Sequence, residues 1–99
     1  MSFRVRFTGA ARDDLKRLFE FLLEQDVQTA RRARDAIVKA TEFLADFPFS
    51  CRKADAGNPF LRELIIPFGN AGYVALLEIE DESTVTILTV RHQREEDYH

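Results

Sequence analysis

The residues best equipped for chemistry lie near the end of the chain. Arg91-His92-Gln93-Arg94 is followed by Tyr98, and one more cation, Arg62, sits inside the apolar run Leu61–Ile66. An imidazole titrates near neutral pH and can move a proton. Guanidinium groups bind phosphate oxygens through paired N–H donors. Metal-free cleavage of RNA needs those functions: a base for the 2′-hydroxyl, an acid for the leaving oxygen, and cations on the phosphorane. The candidates are Arg62, Arg91, His92, Arg94 and Tyr98. The same groups would equally make a non-covalent contact surface for a macromolecular target.

Each also has a plainer reading. Arg62 beside Glu63, and Arg91 near the acidic tail, read as exposed strand charges in weak ion pairs. His92 reads as a hydrogen-bonded histidine at a strand end, Tyr98 as a ring packed on a sheet, and Tyr73 as part of the core or its rim. Arg31, Arg32 and Arg34 read as a solvated helix face. The charge balance weighs against a nucleic-acid substrate: 14 Lys and Arg oppose 17 Asp and Glu, a net charge of −3. Glu95-Glu96-Asp97 would also repel a phosphate brought to the candidate cluster. Cys51, the single cysteine, has no CxxC or histidine partner, so neither a disulfide nor a zinc site is expected, and no cofactor. A cytoplasmic protein is expected. Met1-Ser2-Phe3-Arg4 leads straight into an alternating pattern, so no signal peptide or membrane span is expected either.

The elements that must position these groups follow from hydrophobic period. Phe3-Arg4-Val5-Arg6-Phe7 alternates with period two, the pattern of a half-buried strand. Thr8 can cap a helix whose apolar stripe is Ala11, Leu15, Leu18, Phe19 and Leu22, ending near Gln25. Asp26 caps a second helix with the stripe Ala30, Ala33, Ile37, Ala40, Leu44 and Phe47, stopped by Pro48. So short a junction predicts an antiparallel hairpin. Residues 50–58, with Arg52, Lys53, Gly57 and Asn58 ahead of Pro59, read as an exposed loop. Phe60–Ile66 reads as a strand closed by Pro67, Tyr73–Ile79 as a central strand, and Thr84–Val90 as a third, joined by short turns. The expected architecture is α+β: an N-terminal strand, an antiparallel two-helix hairpin, and a three-stranded antiparallel C-terminal meander, as a single domain over 1–99.

Two stretches, Leu61–Gly69 with Gly72-Tyr73-Val74, and Ile87–Tyr98, resemble the C-terminal half of RelE/ParE toxins of type II toxin–antitoxin systems. That half has an arginine on the second strand, an aromatic opening the third and a basic cluster ending the fourth. The start of the first helix, Ala11-Arg12-Asp13-Asp14-Leu15, and the alanine-rich second helix are similar too, so the resemblance spans essentially the whole chain. It implies a growth-inhibiting toxin of the plasmid-stabilization type. Two mechanisms stay open. ParE-like members block DNA gyrase by binding it and do no chemistry. RelE-like members are ribosome-dependent mRNA endonucleases, and His92-Gln93-Arg94 followed by Tyr98 repeats their basic, one residue, basic, three residues, tyrosine spacing. The acidic balance and the paucity of lysines before the second strand favour the ParE-like reading, with Arg62, Arg91, His92, Arg94 and Tyr98 as the target-binding set. A non-toxic adaptor that only binds a protein partner is the third reading.

The resemblance implies a ParD-like antitoxin in a hetero-oligomer, with DNA contacted only through the antitoxin. Phe21 and Leu23 on the first helix, and Val38 and Phe43 on the second, fall off the main stripes. They are the expected antitoxin-binding residues, lining a groove that an amphipathic segment fills.

Overall fold

The structure, a computed structural model, describes residues 2–93. The elements in chain order are β1 (Arg4–Phe7), α1 (Gly9–Gln25), α2 (Val27–Asp46), β2 (Arg52–Asp55), β3 (Asn58–Phe68), β4 (Ala71–Ile79) and β5 (Thr84–His92). One 3-10 turn, Pro48–Ser50, links α2 to β2.

Local signals account for the helical hairpin. The Thr8 hydroxyl oxygen accepts from the Ala11 N–H at 3.0 Å, satisfying one of the open donors at the start of α1. Asp26 serves two helices at once. Its N–H closes α1 on the Leu22 carbonyl at 2.8 Å. Its carboxylate opens α2 by accepting from the N–H groups of Gln28 and Thr29 and from the Thr29 hydroxyl. Those bonds, the Thr29 hydroxyl's above all, hold the Asp26 carboxyl below the ordinary carboxylate range. With one residue between them, the helices must fold back on each other.

The sheet has five strands in the order β1-β5-β4-β3-β2. β2 through β5 run antiparallel in sequence, and β1 lies parallel to β5 at the opposite edge. The expected meander is therefore present but carries one strand more than expected. Residues read as an exposed loop form β2, pairing Arg52 with Glu63 and Lys53 with Arg62. Arg-Lys-Ala-Asp is polar on both faces, so it shows no period. Backbone pairing and a turn in which the Asp55 carboxylate accepts from the Gly57 N–H create the strand.

The helices cover one face. Ile66, Tyr73, Ala75, Leu77, Ile79, Val85, Ile87 and Val90 meet Ala11, Leu18, Ala33, Ile37 and Leu44 there. The expected stripes hold except at Phe47, which is exposed with its ring against Phe43 at 5.6 Å. β4 is central and buried over most of its length, as its continuous apolar run requires. β3 runs past Pro67 to Phe68. Pairing with β2 ends at Glu63, and a proline is tolerated where no outer partner needs its missing N–H.

Candidate functional site

Two adjacent residues end β5, and strand geometry sends them to opposite faces. His92 pairs with Tyr73 on the helix-covered face, ring edge to ring face at 5.8 Å. Tyr73 is almost fully buried and stacks on Phe68 at 5.9 Å, and burial pushes its phenol above the usual range. Arg91 pairs with Val74 on the other face, where its guanidinium lies 3.4 Å from Glu63. Glu63 also takes Arg52 at 3.0 Å, so one carboxylate on β3 bridges cations from β2 and β5.

Arg62 is not part of this arrangement. It is 9 % exposed and faces the helix side. Its Nε donates to the Pro59 carbonyl at 2.6 Å, and its Nη1 donates to the carbonyls of Phe49 and Cys51 at 3.0 and 2.9 Å. The guanidinium also lies 5.3 Å from the centre of the Phe49 ring. These bonds tie the 3-10 turn and the approach to β2 onto β3. Arg62 is therefore neither an exposed strand charge paired with Glu63 nor a neighbour of Arg91. The expected surface shared by Arg62 and Arg91 is corrected: the two lie on opposite faces of the sheet. Arg94 and Tyr98, the other members of the expected set, lie outside the described residues.

Sequence reasoning missed the residues that aim the strand end. β5 carries a bulge: Leu77 pairs with Ile87 but Leu76 pairs with Thr89, leaving Leu88 extra. α1 holds that irregularity from two points. The Thr8 hydroxyl donates to the Leu88 carbonyl at 2.8 Å, and the Asp14 carboxylate accepts from the Val90 N–H at 2.9 Å. Asp14 also pairs with Arg17 at 3.5 Å.

The apolar expectation is met in part. Phe21, Leu23, Val38 and Phe43 are all exposed, at 59, 51, 45 and 40 %. They do not line one groove. A concavity of about 390 Å³ lies between α2 and β3, and of the four only Phe43 lines it, with Ala36, Ala40, Leu64, Ile66 and Pro67. Helical geometry explains the dispersal: residues two apart are rotated by roughly 200°, so Phe21 and Leu23 leave α1 in nearly opposite directions. Beside this groove the outer edge of β3 is unpaired beyond Glu63 among the described strands.

Cys51 is buried, and burial raises its thiol above the usual range against the opposing pull of Arg62. Among the described residues no group of three or more His, Cys, Asp or Glu side chains is placed to hold a metal. No described helix is long and apolar enough to cross a membrane.

Comparison with known proteins agrees with this architecture. The chain is 34 % identical over 74 residues to Toxin RelE1 of Caulobacter vibrioides, an alignment covering 75 % of this chain and 76 % of that protein. A solved structure described as the chromosomal ParDE TA system from P. aeruginosa shares the fold with a TM-score of 0.71 at 16 % identity, over 92 % of this chain and 96 % of that one. Residues 5–97 match the sequence profile of the family described as ParE toxin of type II toxin-antitoxin system, parDE. With its helical hairpin laid across a sheet whose last strand ends in Arg91-His92, the chain belongs to the ParE toxin family of type II toxin–antitoxin systems.

Proposed function

We propose that this chain is a growth-inhibiting toxin that acts by binding a cellular target, DNA gyrase, without cleaving RNA, and that a ParD-like antitoxin neutralises it. The observation that carries the reading is the ParE family match over residues 5–97. Two features of the chain support binding over cleavage. The net charge is −3, poorly suited to holding ribosomal or messenger RNA. The described members of the candidate cleavage set do not converge, since Arg62 is tied to backbone carbonyls on one face while Arg91 pairs with Glu63 on the other. On this reading Arg91 and His92 contact the target, joined by Arg94 and Tyr98, while Phe43 and the α2–β3 groove receive the antitoxin. Phe21, Leu23 and Val38 extend that contact around the hairpin, so the antitoxin must wrap the helices rather than fill one slot.

Induction of the isolated chain in bacteria tests the target. Filamentous growth with DNA-damage signalling, and loss of gyrase supercoiling with purified toxin, are expected. Rapid translation arrest with fragmented mRNA would replace this reading by the endonuclease one, and normal growth would favour an adaptor. The antitoxin surface is tested by Phe43→Ser, which should weaken antitoxin binding by about ten-fold or more, as loss of an aromatic anchor does. Unchanged affinity would remove the groove from the interface.

A further inference from the structure

Strand register fixes a pattern of charge on the sheet face that the helices leave open. On β1, Val5 and Phe7 pack against the core, so Arg4 and Arg6 take the open face. On β4, Leu77 and Ile79 enter the core, which puts Glu78 on the open face, across from Arg6 through Thr86. At the other end of that face, Glu63 holds Arg52 and Arg91. Its Oε1 accepts from the Arg52 Nε at 3.0 Å and lies 3.0 Å from a second Arg52 nitrogen, while its Oε2 lies 3.4 Å from Arg91. Glu63 is the most enclosed of the three, its side chain 19 % exposed against 28 % for Arg91 and 56 % for Arg52. Because β4 lies between β3 and β5, the Glu63–Arg91 contact crosses above Leu76 and Val74. Those apolar side chains strengthen it relative to a fully solvated pair.

Two guanidiniums drawn together from β2 and β5 carry the paired N–H donors that match a phosphodiester. The Glu63 carboxylate already takes them. A phosphate arriving there must displace a tethered anion or lie beside it, and like charges repel. We propose that Glu63 is a specificity-determining residue of the open face: by occupying Arg52 and Arg91 it excludes nucleic-acid phosphates from the surface that presents Arg91. The inference deepens the proposed reading, binding without RNA cleavage, by assigning the exclusion to one side chain rather than to the overall charge of −3. Neutralising Glu63 changes the total by one, yet it withdraws from two guanidiniums the carboxylate they share.

The test titrates the full chain into a fluorescein-labelled oligouridylate and reads anisotropy across a salt series. Neither gyrase nor antitoxin is present, so the outcome is separate from the growth and supercoiling tests of the proposed reading. Glu63→Gln should bind about ten-fold more tightly than the parent at low salt, as two surface cations gaining a partner allow. Its log–log salt slope should be steeper by about 1.4, or ~0.7 for each guanidinium placed on a phosphate. Adding Arg52→Gln to Glu63→Gln should remove about half of that added slope. Glu63→Asp keeps the charge on a shorter arm and should bind like the parent. Glu24→Gln on α1 alters the net charge equally, but in the helix layer, and should also match the parent. Glu63→Thr, an uncharged strand former, should gain as Glu63→Gln does and guards against a folding defect peculiar to glutamine, with thermal transitions confirming folded variants. Affinity and slope unchanged in both uncharged variants would overturn the proposal. An equal gain in Glu24→Gln would overturn it as well, by assigning the exclusion to total charge.

Discussion

Replacing Asp14 by alanine isolates one hydrogen bond that links the first helix to the last strand. In the native chain the Asp14 carboxylate accepts from the Val90 N–H at 2.9 Å, and Val90 is 1 % exposed. Alanine leaves that buried donor without a partner, which costs about 1–3 kcal/mol, toward the upper end because the lost acceptor is charged. The 3.5 Å contact with Arg17 adds little, since the arginine is 55 % exposed. Alanine's better helix propensity returns about 0.5 kcal/mol. The net expectation is a loss of about 2 kcal/mol, or on the order of 10 °C in Tm for a domain near 100 residues.

Asp13 supplies the internal control. It is the exposed neighbour on the same helix, so Asp13→Ala gains the same propensity and, among the described residues, loses no bond across the fold. The difference between the two alanine variants in urea or thermal unfolding therefore reports the Asp14–Val90 bond directly. Asp14→Asn, which keeps a neutral acceptor, should fall between them. Amide hydrogen exchange gives the local readout: Val90 should exchange much faster in Asp14→Ala, beyond the change at strand positions distant from the bulge. Equal stability of Asp13→Ala and Asp14→Ala, with Val90 equally protected, would refute the reasoning.

Arg62→Lys should lose about 3 kcal/mol in urea unfolding, nearly as much as Arg62→Met, because one ammonium cannot reach carbonyls of Pro59, Phe49 and Cys51 as the guanidinium fork does. Unchanged stability with lost growth arrest would instead assign Arg62 to target contact. Gly72→Ala should cost about 3 kcal/mol, because a Cβ there would stand 2.2 Å from the Ile66 carbonyl oxygen, a backbone atom that cannot swing aside. A thermal transition within a degree or two of the parent would mean that the β3–β4 turn can open freely. Cys51 has a thiol raised above its ordinary 9.0 by burial, so the folded chain holds that proton more tightly than the unfolded one. Its contribution is complete below about pH 9 and is lost as pH rises through the higher folded value. Stability measured from pH 8 to 11 should fall more steeply in the parent than in Cys51→Ala.

What was legible in the sequence depended on whether a signal was local. Thr8 and Asp26 cap helices through neighbours three residues on or nearer, and both caps stand where their residue types put them. The alanine stripe of α2 and the unbroken apolar run of β4 are likewise properties of short windows. β2 was not legible because its strand character comes from pairing with β3, and its four residues alternate nothing. Asp14 was visible as part of a helix start, but its partner is 76 residues away, and no pattern in the sequence marks the contact. Phe21, Leu23, Val38 and Phe43 were recognised as surplus apolar residues. Their failure to form one groove follows from helix rotation.

The face on which Arg91 appears is decided by one residue, Leu88. Near the turn, β4 and β5 pair Ile79 with Val85 and Leu77 with Ile87. Continued without interruption, that register would set Arg91 opposite Tyr73. Tyr73 pairs with Ile66, on the same face as Arg62, and the two arginines would then share a surface. The extra residue shifts the register by one, and in a strand a shift of one moves every later side chain to the other face. Arg91 is thereby delivered to Glu63 and Arg52, and His92 to Tyr73. Thr8 and Asp14 stabilise the bulge by satisfying the Leu88 carbonyl and the Val90 N–H flanking the shift. On the proposed reading, the first helix therefore governs target contact without touching the target. Asp14→Ala should broaden or displace the Arg91 and His92 signals more than loss of an exposed salt bridge would, and a spectrum changed only around Arg17 would separate stability from aim.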